Sequence, residues 1–282
     1  MSLLEKIDRK KLQHILIISI VALTVIAFAL LLVIIIASVS GNVAGGINNV
    51  ELKEHTVSDK DLATGTLILA DENHSYSYAF SAGELEYCGP YRDSHLEKDE
   101  NDKALNKYYM NDMGKMQLTS DAMAAAHNML VAAEAEIKKD DLLISATYGS
   151  NDETNAEYAT ALLMALSNYD GHTLSEEYAT WFDKNAAEYG FIESFDNGFR
   201  YVGKVHAKYM SDKKLSLADY ISYLKEKTNC DKPLKIVVKG VEYAVYYASA
   251  NKAGAHIKVP ANGDYILSGT NEGGIIVSYE IK

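Results

Sequence analysis

Residues 181–210, WFDKNAAEYGFIESFDNGFRYVGKVHAKYM, predict a helix, a hairpin and a second helix in succession. Gly190 suits the end of the first helix, because glycine tolerates the left-handed conformation of a C-cap. Asn197 and Gly198 form a turn signal before the strand-like residues 199–202, and residues 205–210 begin the next helix. The first helix has one apolar face, with residues three and four apart: Trp181, Phe182, Ala186 and Tyr189.

The composition is that of an acidic protein with enough apolar residues for a sizeable core. The 282 residues carry a net charge of −12, and 48% of them are hydrophobic. Residues 1–14 contain four basic and two acidic side chains, which gives +2 and leaves −14 for the rest of the chain. An acidic body disfavours nucleic acid and anionic lipid as binding partners.

An uncharged apolar segment lies near the N-terminus. Residues 15–39 form a run of 25 residues without a charge, and about 20 suffice for a helix to cross a bilayer. A cleaved signal peptide is the alternative, but its apolar region is normally about 7–15 residues long. The basic flank predicts a cytoplasmic tail of residues 1–14, a single-pass anchor in the cell membrane and an extracytoplasmic C-terminal body. Residues 40–59 are predicted to be a linker.

The body, residues 60–229, predicts an α+β domain in which a small antiparallel sheet is flanked by helices. Residues 65–70 and 141–146 have the character of buried strands. Helices are predicted at residues 120–139, 155–167 and 215–227, where apolar residues recur at helical spacing.

The character of the sequence changes near residues 229–233. Five short alternating runs follow, at residues 234–238, 241–248, 256–259, 265–268 and 274–281, with glycine, asparagine and proline between them. This pattern predicts a small C-terminal all-β module over residues 230–282.

Cys88 and Cys230 are the two cysteines of the chain. An exported protein with two thiols is a candidate for one disulfide, and two isolated thiols are the alternative. Sequence alone leaves this choice open, because bridging requires that the two Cα atoms lie within reach.

Four segments of the chain carry a further signal: DLLISATYGS (141–150), TWFDKNAAEYGF (180–191), FRYVGKVHAKYM (199–210) and LSLADYISYL (215–224). They resemble segments of the VanY-like D-alanyl-D-alanine carboxypeptidases, which have the zinc LAS-type peptidase fold, and they occur in that family's order. The resemblance covers roughly residues 60–282. It implies a scaffold that binds the D-Ala-D-Ala end of a cell-wall peptide.

In that family two histidines and an aspartate hold zinc, a glutamate takes a proton from the zinc-bound water, and an arginine pairs with the substrate carboxylate. Gly149 stands in the arginine position of a motif like SGYRS. Tyr158 and Ala165 stand at the first histidine and the aspartate of a motif like HNTGLAVDI. Phe195 and Gly198 stand at the glutamate and the last histidine of EPWHFRYVG. The resemblance therefore implies a degenerate site without catalytic residues, metal ligands or a zinc cofactor.

The first hypothesis is a membrane-anchored, extracytoplasmic pseudoenzyme that binds peptidoglycan peptide or an envelope protein. The second is an active D-Ala-D-Ala peptidase with relocated ligands such as Asp170 and His172. The third is a structural or regulatory subunit of an envelope complex. The candidate groove residues are Tyr148, Asp170, His172, Arg200 and Tyr201.

Overall fold

The computed structural model describes residues 50–96, 98, 108–111, 114–150, 155–169 and 173–282. The predicted cytoplasmic tail and anchor lie outside these ranges, as do Asp170 and His172. None of the helices within the described ranges is long and apolar enough to cross a membrane.

The described residues form one compact α+β unit. In its first half the elements are β1 (Leu52–Thr56), α1 (Asp59–Ala63), β2 (Leu85–Tyr87), α2 (Cys88–His95), β3 (Tyr109–Met110), β4 (Gln117–Thr119), α3 (Ser120–Ile137), β5 (Leu142–Ala146), a 3₁₀ turn (Ala156–Thr160) and β6 (Leu163–Asn168). The rest comprises α4 (Glu176–Tyr189), β7 (Phe191–Phe195), β8 (Gly198–Tyr201), α5 (Lys204–Lys213), α6 (Leu217–Lys227), β9 (Leu234–Val238), β10 (Val241–Ser249), β11 (His256–Pro260), β12 (Tyr265–Gly269) and β13 (Gly274–Glu280).

The central sheet has the strand order β3-β5-β6-β8-β7. Strands β5, β6, β8 and β7 pair antiparallel, and the short β3 pairs parallel to β5. Helices α3 and α4 cover one face of this sheet with a shared apolar core, in which the rings of Phe182 and Phe199 lie 4.9 Å apart. The helix–hairpin–helix prediction for residues 181–210 is confirmed by α4, β7, β8 and α5. Gly190 caps α4 with a φ of 94°.

Two predicted elements are wrong. Residues 155–167 form the 3₁₀ turn and strand β6 rather than one helix. β6 lies between β5 and β8 and is largely buried on both faces, so its apolar residues do not alternate with polar ones as in a half-exposed strand. Residues 67–70 are buried, but the segment 65–70 forms no strand because its N–H groups make no regular ladder: that of Leu67 donates to the hydroxyl of Ser268, and that of Leu69 donates to the Thr270 carbonyl.

The five C-terminal strands are confirmed within one or two residues. Four of them form an antiparallel sheet in the order β12-β13-β10-β9, and β11 pairs instead with β1. Residues 52–56 of the predicted linker are therefore part of the fold. The β1–β11 pair lies beside β10, where the Tyr246 hydroxyl donates a hydrogen bond to the Lys258 carbonyl.

The predicted boundary at residues 229–233 falls in the turn between α6 and β9. The hydrophobic core continues across it, because Leu224 of α6 belongs to the same buried cluster as Ile236 and Val245 of the C-terminal strands. Helices α5 and α6 therefore pack against strands of both the central sheet and the C-terminal sheet.

Cys88 and Cys230 are both free, which is the second of the two alternatives that the sequence leaves open. Cys88 begins α2 and is buried in the core beneath α3, where its N–H donates to the carbonyl of Met116. Cys230 lies in the turn that follows α6, beside Asp231, and is only partly buried. The two thiols therefore belong to different parts of the fold.

Candidate functional site

The face of the central sheet that points away from α3 and α4 carries the positions that the family resemblance singles out. Along β6, Met164 and Leu166 belong to the core beneath the helices, whereas Leu163 and Ala165 belong to a separate small cluster. Side chains alternate along a strand, so Leu163 and Ala165 lie on the opposite face. We call this surface the rear face of the sheet.

Four of the five carried-over positions meet on the rear face. Ala165 and Gly198 are cross-strand partners between β6 and β8, and Gly198 is also paired with Phe195 of β7. Tyr158, in the 3₁₀ turn, belongs to the same cluster as Ala165 and Ala146. The sheet register therefore brings together residues that are up to 40 positions apart in the sequence.

The Phe195 ring occupies the space above Gly198. A Cβ atom added to Gly198 would lie 2.3 Å from Cε1, 2.4 Å from Cζ and 2.6 Å from Cδ1 of Phe195. These separations are far below the roughly 3.5–4.0 Å of an ordinary carbon contact. A larger side chain at position 198, such as a histidine, therefore requires the ring to move away.

Gly149, the fifth position, lies in the turn after β5 and adopts a φ of +79°, which side chains rarely tolerate. A Cβ atom there would lie 2.4 Å from the Lys115 carbonyl oxygen. Backbone occupies the space that a side chain needs, so this turn does not fit the carboxylate-binding arginine of the family.

The donor set on the rear face does not fit the family's zinc ion. Ala165 and Gly198 offer no side-chain ligand, Phe195 offers an aromatic ring, and Tyr158 is a rare kind of zinc ligand. In the portion of the chain that the structure describes, no group of three His, Cys, Asp or Glu side chains is arranged to hold a metal ion. We therefore derive no chemistry through a metal at this site.

Two of the candidate groove residues, Arg200 and Tyr201, pack inside the fold. Arg200 points to the rear face but is fully buried: it forms an ion pair with Glu157 at 3.1 Å and donates to the Ile68 carbonyl at 2.6 Å. Tyr201 points to the other face, where its ring lies 5.3 Å from that of Phe191. The prediction that these two residues line a groove is wrong, because β8 places one under the 65–70 segment and the other under the helices.

The third described candidate, Tyr148, lies beside a loop that the sequence did not single out as a site. Residues 71–84 carry Tyr76, Tyr78 and Phe80 at every second position, and the Phe80 ring lies 5.5 Å from that of Tyr148. Burial raises the pKa of Tyr76 to about 12, and the charge of nearby Arg200 opposes this rise. The loop therefore runs next to the buried arginine of the rear face.

The three aromatic residues form one wall of a cleft of about 320 Å³, which we call the aromatic cleft. Its opposite side is formed by the first turn of α3, including Ser120 and Asp121, and by the end of the 3₁₀ turn. At its edge Lys60 and Glu84 form an ion pair at 2.5 Å, and hydrogen bonding to Lys60 is the largest cause that lowers the pKa of Glu84 to about 2. The alternation of aromatic residues at positions 76, 78 and 80 is the sequence signal from which this wall could have been found.

Buried histidines elsewhere in the fold have structural partners. The Nδ1 atom of His206 lies 3.0 Å from the Tyr220 hydroxyl, and burial lowers the pKa of His206 to about 4. The Nδ1 atom of His127 lies 3.1 Å from the Tyr108 hydroxyl. Both rings are therefore part of the packing of α3, α5 and α6.

No family model matches the chain. Among solved structures, the vancomycin resistance D,D-dipeptidase VanXYg, in complex with a D-Ala-D-Ala phosphinate analogue, superposes with a TM-score of 0.64, covering 82% of this chain and 100% of that one at 17% identity. The chain has a VanXYg-like fold.

A curated relative supports the same assignment by sequence. A D-alanyl-D-alanine carboxypeptidase of Enterococcus faecium is 33% identical over 111 residues, which are 35% of this chain and 35% of that protein. The chain thus matches about a third of the length of this relative. VanYB in complex with D-alanine-D-alanine superposes over 56% of this chain with a TM-score of 0.39 at 14% identity. The resemblance to VanY-like carboxypeptidases that the motifs predicted is confirmed.

Proposed function

We propose that this chain is a membrane-anchored, extracytoplasmic binding protein that holds cell-wall peptide on a carboxypeptidase scaffold without cleaving it. We infer the loss of catalysis from one observation, the contact between Phe195 and Gly198. The aromatic ring fills the place of a metal ligand, and the neighbouring Ala165 offers no donor. Loss of the ligand set removes both the Lewis acid and the activated water that peptide hydrolysis on this scaffold needs.

Retention of peptide binding is supported by the features beside the rear face. The five-stranded sheet of the scaffold is present, and the loop of residues 71–84 lines two open clefts, which are the concave kind of surface at which small ligands bind. The similar curated protein is a D-alanyl-D-alanine carboxypeptidase, and the VanXYg structure contains a D-Ala-D-Ala analogue. Wall peptide is therefore the ligand class that we assign to this chain.

The membrane anchor rests on the sequence of residues 15–39 and its basic flank. It places the binding domain on the side of the membrane where peptidoglycan lies. Fractionation of cells that express the tagged chain, followed by protease treatment of intact protoplasts, tests this placement. Recovery in the soluble fraction, or protection of the C-terminal body from the protease, would contradict it.

Two assays on the full chain in mild detergent test the proposed function. In the first, the protein is incubated with zinc and with a pentapeptide that ends in D-Ala-D-Ala, and bound metal and released D-alanine are measured. We expect substoichiometric zinc and no release; stoichiometric zinc with release would establish an active peptidase. In the second, the protein is sedimented with purified peptidoglycan, and retention no greater than that of an unrelated acidic protein would refute wall binding.

A further inference from the structure

Residues 75–79 form an open backbone edge beside a groove. Side chains alternate here between exposed and half-buried, which is the two-residue period of an extended chain. None of these residues has a positive φ. Within the described ranges their backbone N–H groups make no hydrogen bonds, and the one carbonyl that accepts a bond is that of Ser75.

The segment is held firmly at both ends, although its own backbone is unpaired. At one end the amide of Asn271 donates to the Ser75 carbonyl at 3.0 Å and to the Leu69 carbonyl at 3.1 Å. At the other end Glu84 accepts from the Tyr78 hydroxyl at 3.0 Å and from the Ser81 N–H at 2.6 Å. An edge fixed in this way loses little conformational entropy when a partner binds, which favours affinity.

A groove of about 570 Å³ runs along this edge, and we call it the backbone groove. Five consecutive residues, 75–79, line it, so their main chain contributes to its wall. The remaining lining consists of Leu62, Ala63, Ile68 and Asn271. The groove therefore carries no formal charge, in contrast to the aromatic cleft, which holds Lys60, Glu84 and Asp121.

The geometry points to an extended peptide with small, uncharged side chains as the occupant of the backbone groove, added as a strand to residues 75–79. Unpaired N–H and C=O groups in an extended segment are the template that strand addition uses, and main-chain hydrogen bonds supply its affinity. The short side chains of Ala63, Ser77 and Ala79 leave room for a second backbone. This inference rests on the proposed function and adds where and how the wall peptide binds.

The test uses the full chain in mild detergent and a fluorescent pentapeptide that has small, uncharged side chains and ends in D-Ala-D-Ala. Analogues with a single N-methyl group at each successive amide remove one donor at a time. In a paired strand, alternate residues point their N–H groups at the partner. We expect methylation at amides of one parity to weaken binding at least tenfold, and methylation at the other parity to have less than a threefold effect.

A protein variant provides the second readout. Asn271 has a φ of 60°, so Asn271→Gly keeps the backbone accessible while it removes both amide hydrogen bonds to the loop. We expect this variant to bind the unmodified peptide three- to tenfold more weakly. Asn197→Gly is the matched control, since Asn197 also has a positive φ, of 63°, and lies outside the groove. Its affinity should equal that of the wild type.

The outcomes separate this inference from the proposed function. If the unmodified peptide fails to bind at millimolar concentration, the proposed function fails and this inference fails with it. If the peptide binds but all N-methyl analogues bind equally, or methylation weakens binding without parity, strand addition is refuted while wall-peptide binding stands. Strong weakening of binding by added salt would also overturn the assignment, because it would place the peptide against the charged aromatic cleft.

Discussion

Replacing Gly198 by alanine, with and without Phe195, tests whether the ring fills the former ligand position. In the wild-type background the new methyl group would lie 2.3–2.6 Å from three ring atoms, so the ring must move by about 1 Å or more. Overpacking of this kind typically costs about 1–3 kcal/mol. Phe195 is 37% exposed and can swing outward, which favours the lower half of that range.

In the Phe195→Ala background the obstacle is absent. Gly198 lies in a strand at an ordinary φ, where alanine is more stable than glycine by about 0.5–1 kcal/mol because the unfolded chain has less freedom to lose. The same substitution should therefore change from destabilising to neutral or stabilising. The two backgrounds should differ by about 2 kcal/mol, within the range known for contacting residues.

The measurement is urea unfolding at equilibrium, with the free energy of unfolding extrapolated to water for the four proteins of the cycle. Gly274→Ala is the control, since its Cβ would meet the Tyr247 ring at 2.1 Å and not Phe195. Its cost should be the same in both backgrounds. If Gly198→Ala costs equally with and without Phe195, the ring does not occupy the space above Gly198, and the observation that supports lost catalysis is refuted.

Three further predictions concern stability and reactivity. Arg200→Met removes the ion pair with Glu157, which keeps its hydrogen bond from the Ser194 hydroxyl, and it leaves the Ile68 carbonyl without its donor, so we expect urea unfolding to show a loss of about 1–3 kcal/mol; a loss below about 0.5 kcal/mol would show that the pair is not structural. Burial lowers the pKa of His206 from 6.5 to about 4, so the folded state takes up its proton less readily, and stability that is present above pH 6.5 is lost as the pH falls toward 4. This loss is worth up to about 3 kcal/mol and should be absent in His206→Gln, so parallel stability curves for the two proteins would contradict the assignment. Burial raises the pKa of Cys88 to about 12, so a thiol reagent should label Cys230 at least tenfold faster in the native protein and both cysteines after unfolding; fewer than two thiols in the unreduced, denatured chain would restore the disulfide.

The sequence was most informative where one face of an element is buried. The C-terminal strands alternate, and helix α3 carries apolar residues at helical spacing, so both were predicted to within a few residues. Strand β6 was mistaken for a helix because a strand between two others is buried on both faces and loses its alternation. The 65–70 segment was predicted to be a strand because it is apolar. Its backbone groups bond instead to the side chains of Arg200 and Ser268, and a local sequence pattern cannot reveal such distant partners.

The candidate site, like the fold, was predicted only in part from the sequence. Motif matching placed Ala165 and Gly198 on separate segments, and the sheet register makes them cross-strand partners. The ring of Phe195 above Gly198 depends on side-chain direction at a bulge in β7, which the sequence does not encode locally. Arg200 was a candidate groove residue, and the sequence does not show that one carboxylate and one carbonyl allow its guanidinium group to be buried.

The pairing of β1 with β11 has a mechanical consequence. β1 is the first strand of the described chain, and its five residue pairs with β11 are extended by backbone hydrogen bonds from Val57 to Ala255 and from Ala261 to Glu51. A pulling force that enters the domain at residue 50 meets this ladder before it reaches the five-stranded sheet. We therefore expect tension that enters at residue 50 to be borne first by the β1–β11 ladder, ahead of the rear face and the backbone groove.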